Sequence, residues 1–165
     1  MKLRKLRAKD ALLMLEWMHD EIVVHYLRED FAEKTINDCI RFIDEAQDEA
    51  DSIHLAIVND QDEYMGTVSL KHIRQNTAEF GIALRTCAMG GICASFGMKE
   101  ILVFGYKSRG IDDVYWCVVP ENQRAIHFYE KHYYQRCDIP DQAFGYTEEE
   151  KKKYIWYRVW VPGQL

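Results

Sequence analysis

No stretch of the 165 residues approaches the ~20 consecutive apolar residues of a membrane-spanning helix, so no membrane partner is expected. The first residues, Met1 to Arg7, are basic, but Ala8, Lys9 and Asp10 follow without an apolar region or a cleavage site, and the chain reads as cytoplasmic. A surplus of positive charge is missing too. With 21 Lys and Arg against 27 Asp and Glu, the net charge of -6 argues against a phosphate-neutralising surface, so no nucleic acid is expected as partner. The five cysteines, Cys39, Cys87, Cys93, Cys117 and Cys137, contain no C-x-x-C pair and no Cys/His ligand spacing; reduced thiols and no metal site are expected. Neither G-x-x-x-x-G-K-[ST] nor G-x-G-x-x-G occurs, which disfavours a nucleoside-triphosphatase and a standard dinucleotide site. There is no G-x-S-x-G elbow, and Cys117 has no His nearby in sequence, so no enzyme nucleophile is indicated. Repeats, low-complexity segments and linkers are absent as well. The length and the 48% hydrophobic content fit one core, and residues 1–165 are read as a single domain.

What is present is an ordered alternation of patterns. Leu3 to Arg7 suits a first strand, and Ala8 to Ala11 open a helix carrying Leu12 to Met18, with Asp10 as cap or first-turn acid. Thr35 to Asp38 open a second helix, in which Ile36, Cys39, Ile40 and Ile43 recur at helical spacing. Val23 to Phe31, between the two, fits no single element. Period two then takes over. Ile53–Val58, Tyr64–Leu70 and Ala78–Leu84 read as an antiparallel meander, with Ala78, Phe80, Ile82 and Leu84 on one face and Glu79, Gly81 and Ala83 on the other. Gly90 and Gly91 precede a helix ending near Tyr106. Val114–Val119 is of strand length, and Pro120 leads into another helix. Tyr133–Cys137 and Tyr154–Val161 supply late strands, and Glu148–Lys153 a solvated turn or short helix. This order predicts an α+β fold: a mixed, mostly antiparallel sheet of six or seven strands, about four helices and one parallel crossover.

Two segments carry chemistry. In Pro120–Lys131, Asn122 and Tyr129 stand seven residues apart on one helical face, about 10 Å along the axis, which suits a long thin ligand beside the helix. In Cys87–Ala94, two glycines at a strand-to-helix junction let backbone N–H groups approach an anion such as a diphosphate, although turn geometry alone also explains them.

Taken together, Ala78–Arg85, the Gly90-Gly91 turn, the helix to Tyr106 and Asn122 to Lys131 resemble the GNAT superfamily of acyl-CoA-dependent N-acetyltransferases, in particular its branch acting on ribosomal-protein N termini. The resemblance implies acetyl-CoA as cosubstrate without a metal, and an amine acceptor, either a small molecule or a protein N terminus; it also allows a homodimer. Ile82, Ala83 and Leu84 would pair with the pantetheine arm. Met89, Gly90, Gly91, Ile92, Cys93 and Ala94 would form the pyrophosphate turn, and Asn122 would contact the cofactor. Tyr129 would protonate the departing CoA thiolate, as a phenol protonated at neutral pH can.

The turn departs from the superfamily pattern of Arg or Gln, two free residues, Gly, one free residue, then Gly or Ala. Met89 replaces the polar residue and Ile92 the first Gly; a one-residue deletion would instead bring Gly91 into register and leave Cys93 as the misfit. A β-branched Ile92 is expected to crowd the pyrophosphate or to need a positive φ, weakening CoA affinity. Members of the ribosomal-protein branch often carry a Glu on the strand before the Asn, at a position that here looks like Cys117, so that role does not carry over. Glu79, on the strand face opposite Phe80 and Ile82, is the candidate base, directly or through water. The aromatics Trp17, Tyr26, Phe31, Tyr154, Trp156 and Trp160 are candidates for the acceptor wall or for the core.

Overall fold

In the computed structural model, which describes residues 1–164, the period-two segments all enter one seven-stranded sheet. The strands are β1 (Lys2–Lys5), β2 (Ile53–Val58), β3 (Tyr64–Arg74), β4 (Thr77–Leu84), β5 (Asp113–Val118), β6 (Gln135–Cys137) and β7 (Ile155–Trp160), in the spatial order β1-β2-β3-β4-β5-β7-β6. Every neighbouring pair is antiparallel except β4 with β5. Four helices have eight or more residues: α1 (Ala11–Met18), α3 (Ile36–Glu45), α4 (Cys93–Arg109) and α5 (Gln123–Lys131). Two single turns, α2 (Glu21–Val24) and α6 (Glu148–Lys151), complete the set.

Alternation along the strands divides the molecule into two apolar layers. Ile53, Leu55 and Ile57 of β2, Leu70 of β3, Ala78 and Phe80 of β4 and Trp116 of β5 pack against Met98, Ile101 and Leu102 of α4 and Ile126 and Tyr129 of α5. On the opposite face Ala56, Val58 and Tyr64 meet Met14, Trp17 and Met18 of α1 and Cys39 and Ile43 of α3. Burying each large apolar side chain in these layers contributes about 1.5–3 kcal/mol. The helix α4 lies close on the sheet because Gly97 and Gly105 face it; a Cβ at either position would collide with Ile57 or Leu70.

Local chemistry sets the element ends. Thr35 caps α3 reciprocally with Asp38: its backbone N–H donates to Asp38 Oδ2 at 2.8 Å, and its Oγ1 accepts the Asp38 N–H at 3.3 Å. The strand β1 stops at Lys5 instead of continuing to Arg7. Asp10, 1% exposed, accepts the Arg7 N–H at 2.9 Å and both terminal nitrogens of Arg4 at 2.7 and 2.8 Å, turning the chain through a 3-10 turn at Ala8–Asp10 into α1. α4 runs three residues past Tyr106 and ends on Gly110 at φ 66, a left-handed C-terminal cap. All five cysteines are free thiols.

Candidate active site

The parallel ladder between β4 and β5 has only three rungs, Thr77 with Asp113, Ala78 with Val114 and Glu79 with Tyr115. Beyond it β4 continues through Phe80–Leu84 bonded only to β3, and β5 through Trp116–Val118 bonded only to β7. The two facing edges therefore carry backbone N–H and C=O groups without a strand partner, the groups an extended amide-bearing chain would pair with. Ile82, Ala83 and Leu84 lie on this edge. Arg85 anchors its far end, with its guanidinium bonded to Glu16 of α1 at 2.9 Å and to Glu63 at 2.8 Å.

Glu79 occupies the last rung, 4% exposed, on the face towards α1 and α3. Its Oε1 accepts the Tyr146 hydroxyl at 2.7 Å, its Oε2 stands 2.9 Å from His72 Nδ1, and the Lys71 ammonium lies at 3.6 Å. These contacts offset the cost of burying a carboxylate. Burial, then Cys117 and Glu79, push the Tyr146 phenol strongly upward, so it stays a donor. The Cys117 thiol, 3.5 Å from the Tyr146 oxygen, is pushed up to about 11, chiefly by burial, and is therefore not a thiolate at neutral pH.

Tyr129 stands on the other face. Its ring is 5.2 Å from Trp116, the first β5 residue past the ladder, and 5.1 Å from Tyr157, so α5 brings a phenol to the level where the strands part. Burial raises its pKa strongly, and its hydroxyl makes no hydrogen bond among the described residues. Trp116 Nε1 beside it is buried without a partner. Asn122 differs from expectation. It precedes α5 as the N-cap and its Oδ1 accepts the Ala125 N–H at 3.2 Å, so the amide and the phenol do not share a helical face.

In the turn before α4 the positive φ falls on Gly90, at 74°, while Ile92 is right-handed at φ -82° and 69% exposed. Ile92 thus needs no strained backbone, which removes the positive-φ alternative of the expectation and leaves crowding of the pyrophosphate as the other. No side chain caps α4, and its first turn carries no acid, so the N–H groups around Cys93 and Ala94 are left to an anion. Gly91 has open space around it. Met89 does not leave the turn without a cation, since Arg124 of α5 places Nη1 2.9 Å from the Met89 sulfur. With the unpaired strand edges, this turn forms a surface that fits a pantetheine arm ending in a diphosphate. Replacing Ile92 by Asp should supply the missing cap, raising stability by about 1 kcal/mol while weakening CoA roughly 10-fold or more by putting a carboxylate on the same N–H groups. Denaturant midpoints and calorimetry with CoA read the two effects.

The face bearing Glu79 opens into a cavity of about 640 Å³. Its floor is His54, Thr67, Ser69, Lys71, Gly81 and Ala83, and Trp17, Phe31 and Phe42 stand among its walls. His54 Nδ1 lies 2.7 Å from Ser69 Oγ, and burial, with Lys71 and His72 adding, pushes the His54 pKa down to about 4. At neutral pH it is an uncharged hydrogen-bonding group. Of the aromatics considered for this wall, Trp17 and Phe31 line the cavity. Tyr26 lines a separate cleft beside Asn122, Trp156 packs with Tyr115, and Trp160 is exposed. The residues invisible to sequence reasoning are His72, Tyr146 and Arg124. Each depends on a backbone irregularity or a contact between distant segments.

A family model described as an acetyltransferase (GNAT) domain matches residues 1–134. Among solved structures, spermidine N-acetyltransferase from Vibrio cholerae in complex with CoA and spermine aligns with a TM-score of 0.80 at 16% identity, covering 98% of this chain and 95% of that one. A GNAT-family acetyltransferase from Bacillus anthracis aligns with a TM-score of 0.74 at 18% identity, covering 97% and 94%. No curated protein matches the sequence significantly. Among the described residues, no helix is long and apolar enough to cross a membrane.

Proposed function

Because the chain belongs to the GNAT acetyltransferase family, whose cosubstrate is acetyl-CoA, we propose that it transfers an acetyl group to a small primary amine by direct attack of the amine on the thioester. One observation carries this reading: a parallel ladder that stops after three rungs with a carboxylate, Glu79, on one face of the opening and a phenol, Tyr129, on the other. Acetyl-CoA supplies the thioester. The edges Phe80–Leu84 and Trp116–Val118 would hold its arm, and Cys93, Ala94 and Arg124 its diphosphate. Glu79 takes the proton from the acceptor nitrogen, and Tyr129 gives one to the departing sulfur. Direct attack needs no acyl intermediate on Cys117, whose thiol burial keeps protonated.

The cavity volume suits a small molecule better than a folded protein's terminus. Its lining balances Glu29, Asp38, Glu45 and Glu79 against Arg28, Lys34, Arg41 and Lys71. A polycation such as spermine would want an excess of carboxylate there, so an amine with a polar or anionic body is the better fit. A thiol-release assay with acetyl-CoA over aminoglycosides, polyamines, amino acids and N-terminal peptides tests the reading. Turnover of a compact monoamine at higher kcat/KM than spermidine is expected. Turnover of peptides alone would overturn the small-amine assignment, and calorimetric CoA binding without any turnover would leave a non-catalytic acyl-CoA-binding module.

A further inference from the structure

The reaction leaves a proton on Glu79 at every turnover, and Glu79 is nearly closed to water: its side chain is 5% exposed, whereas that of His72, bonded to its Oε2 at 2.9 Å, is 34% exposed. The position of His72 is not that of a regular strand residue. Lys71 pairs with Glu79 and shares its face, so strict alternation would send the next side chain to the opposite face, beside α4 and α5. Instead the β3–β4 register breaks between Lys71 and Arg74, and His72 adopts φ 53, a left-handed conformation strained for a residue with a Cβ. That irregularity turns the imidazole onto the carboxylate. Phe144 backs the ring at 5.0 Å and carries the Arg74 guanidinium at 4.2 Å on its own ring.

We propose that His72 is the proton outlet of the site, relaying to solvent the proton that Glu79 takes from the acceptor amine; the inference rests on Glu79 being the base. The other groups around Glu79 are unsuited to the task. The Tyr146 phenol is a fixed donor, the Lys71 ammonium has no lone pair, and the Cys117 thiol faces Tyr146. An imidazole can accept on one nitrogen while releasing from the other. With Nδ1 unprotonated towards protonated Glu79, one proton passes from Glu79 to Nδ1 and one leaves Nε2 for water; rotation of the part-exposed ring then brings Nδ1–H to water, where it is lost as Nε2 is reprotonated, so no charge accumulates and no co-reactant is needed.

The test uses the full-length protein, acetyl-CoA and the amine of the assay panel that releases thiol fastest. His72→Gln keeps a hydrogen-bonding amide beside Glu79 but cannot relay, and should lower kcat about 10- to 100-fold with the amine KM changed less than about twofold. His72→Ala should show a similar loss, with added imidazole restoring part of kcat, while calorimetric CoA affinity stays at the wild-type value in both variants. Wild-type turnover in His72→Gln, or loss in both variants without imidazole rescue, overturns the relay and leaves His72 a structural residue. Glu79→Gln separates the two readings. If it retains full turnover, the base assignment falls and the relay with it; if it is inactive while the His72 variants are normal, only the relay falls.

Discussion

Glu79→Gln should lower kcat by about 10²- to 10⁴-fold, the range removed when a placed general base is lost. Gln matches Glu in size, its oxygen can accept from the Tyr146 hydroxyl and its amide N–H can face His72 Nδ1, so the strand end should stay in place while the capacity to take up a proton disappears. The effect should appear in kcat and in kcat/KM for the amine alike, because proton removal belongs to the transition state and not to binding of the acceptor. CoA affinity, which the proposed site assigns to the strand edges and the turn before α4, should be unchanged. Steady-state kinetics on the best amine, with calorimetry for CoA, measure both quantities. A kcat within about threefold of wild type would show that the amine loses its proton elsewhere.

Tyr129→Phe should be the second large loss, about 10²-fold in kcat with little change in CoA affinity. The ring packs between Trp116 and Tyr157, at 5.2 and 5.1 Å, and Phe can keep those contacts. Only the hydroxyl is removed, and as it bonds nothing among the described residues, its loss leaves no partner unsatisfied. Stability should therefore change by less than about 1 kcal/mol. This separates a proton donor from a packing residue, since a pure packing role predicts that turnover is kept for as long as stability is kept. Loss of turnover together with a collapsed melting transition would favour packing. Burial raises the phenol pKa, so the group is protonated at neutral pH and holds the proton that the departing sulfur needs.

The sheet was largely legible because its signals are local. The meander of β2, β3 and β4 alternates cleanly, and the faces assigned to Phe80 and Glu79 are those observed. Thr35 and Asp38 announce α3, and the Glu148–Lys151 turn carries its own reciprocal cap at Thr147 and Glu150. Legibility falls where tertiary contacts decide. Val23–Phe31 has no dominant period because only its first two residues are helical, His25 and Tyr26 line the cleft beside Asn122, and Leu27, Arg28, Glu29 and Phe31 rim the cavity. Asn122 reads from its spacing as a ligand contact, and the 3.2 Å bond from the Ala125 N–H shows that its side chain caps α5. The partners of Glu79 were out of reach for sequence reasoning. Tyr146 comes from a segment 67 residues further on, and His72 reaches Glu79 only through a left-handed residue at a register break, for which the strand pattern contains no sign.

The sheet separates what it joins. In the proposed site, residues 11–45, in α1 to α3, shape the amine side, and residues 93–131 the cofactor side; the two layers lie on opposite faces of the sheet and meet at its edge where Tyr26 stands beside Asn122. Mutations that recut the cavity for a new acceptor therefore change a layer whose packing is largely independent of α4 and α5, and their costs do not compound with those of the cofactor layer. Such a molecule is open to inheritance by halves: a lineage can exchange one customer for another while the reagent and its handling remain as they were.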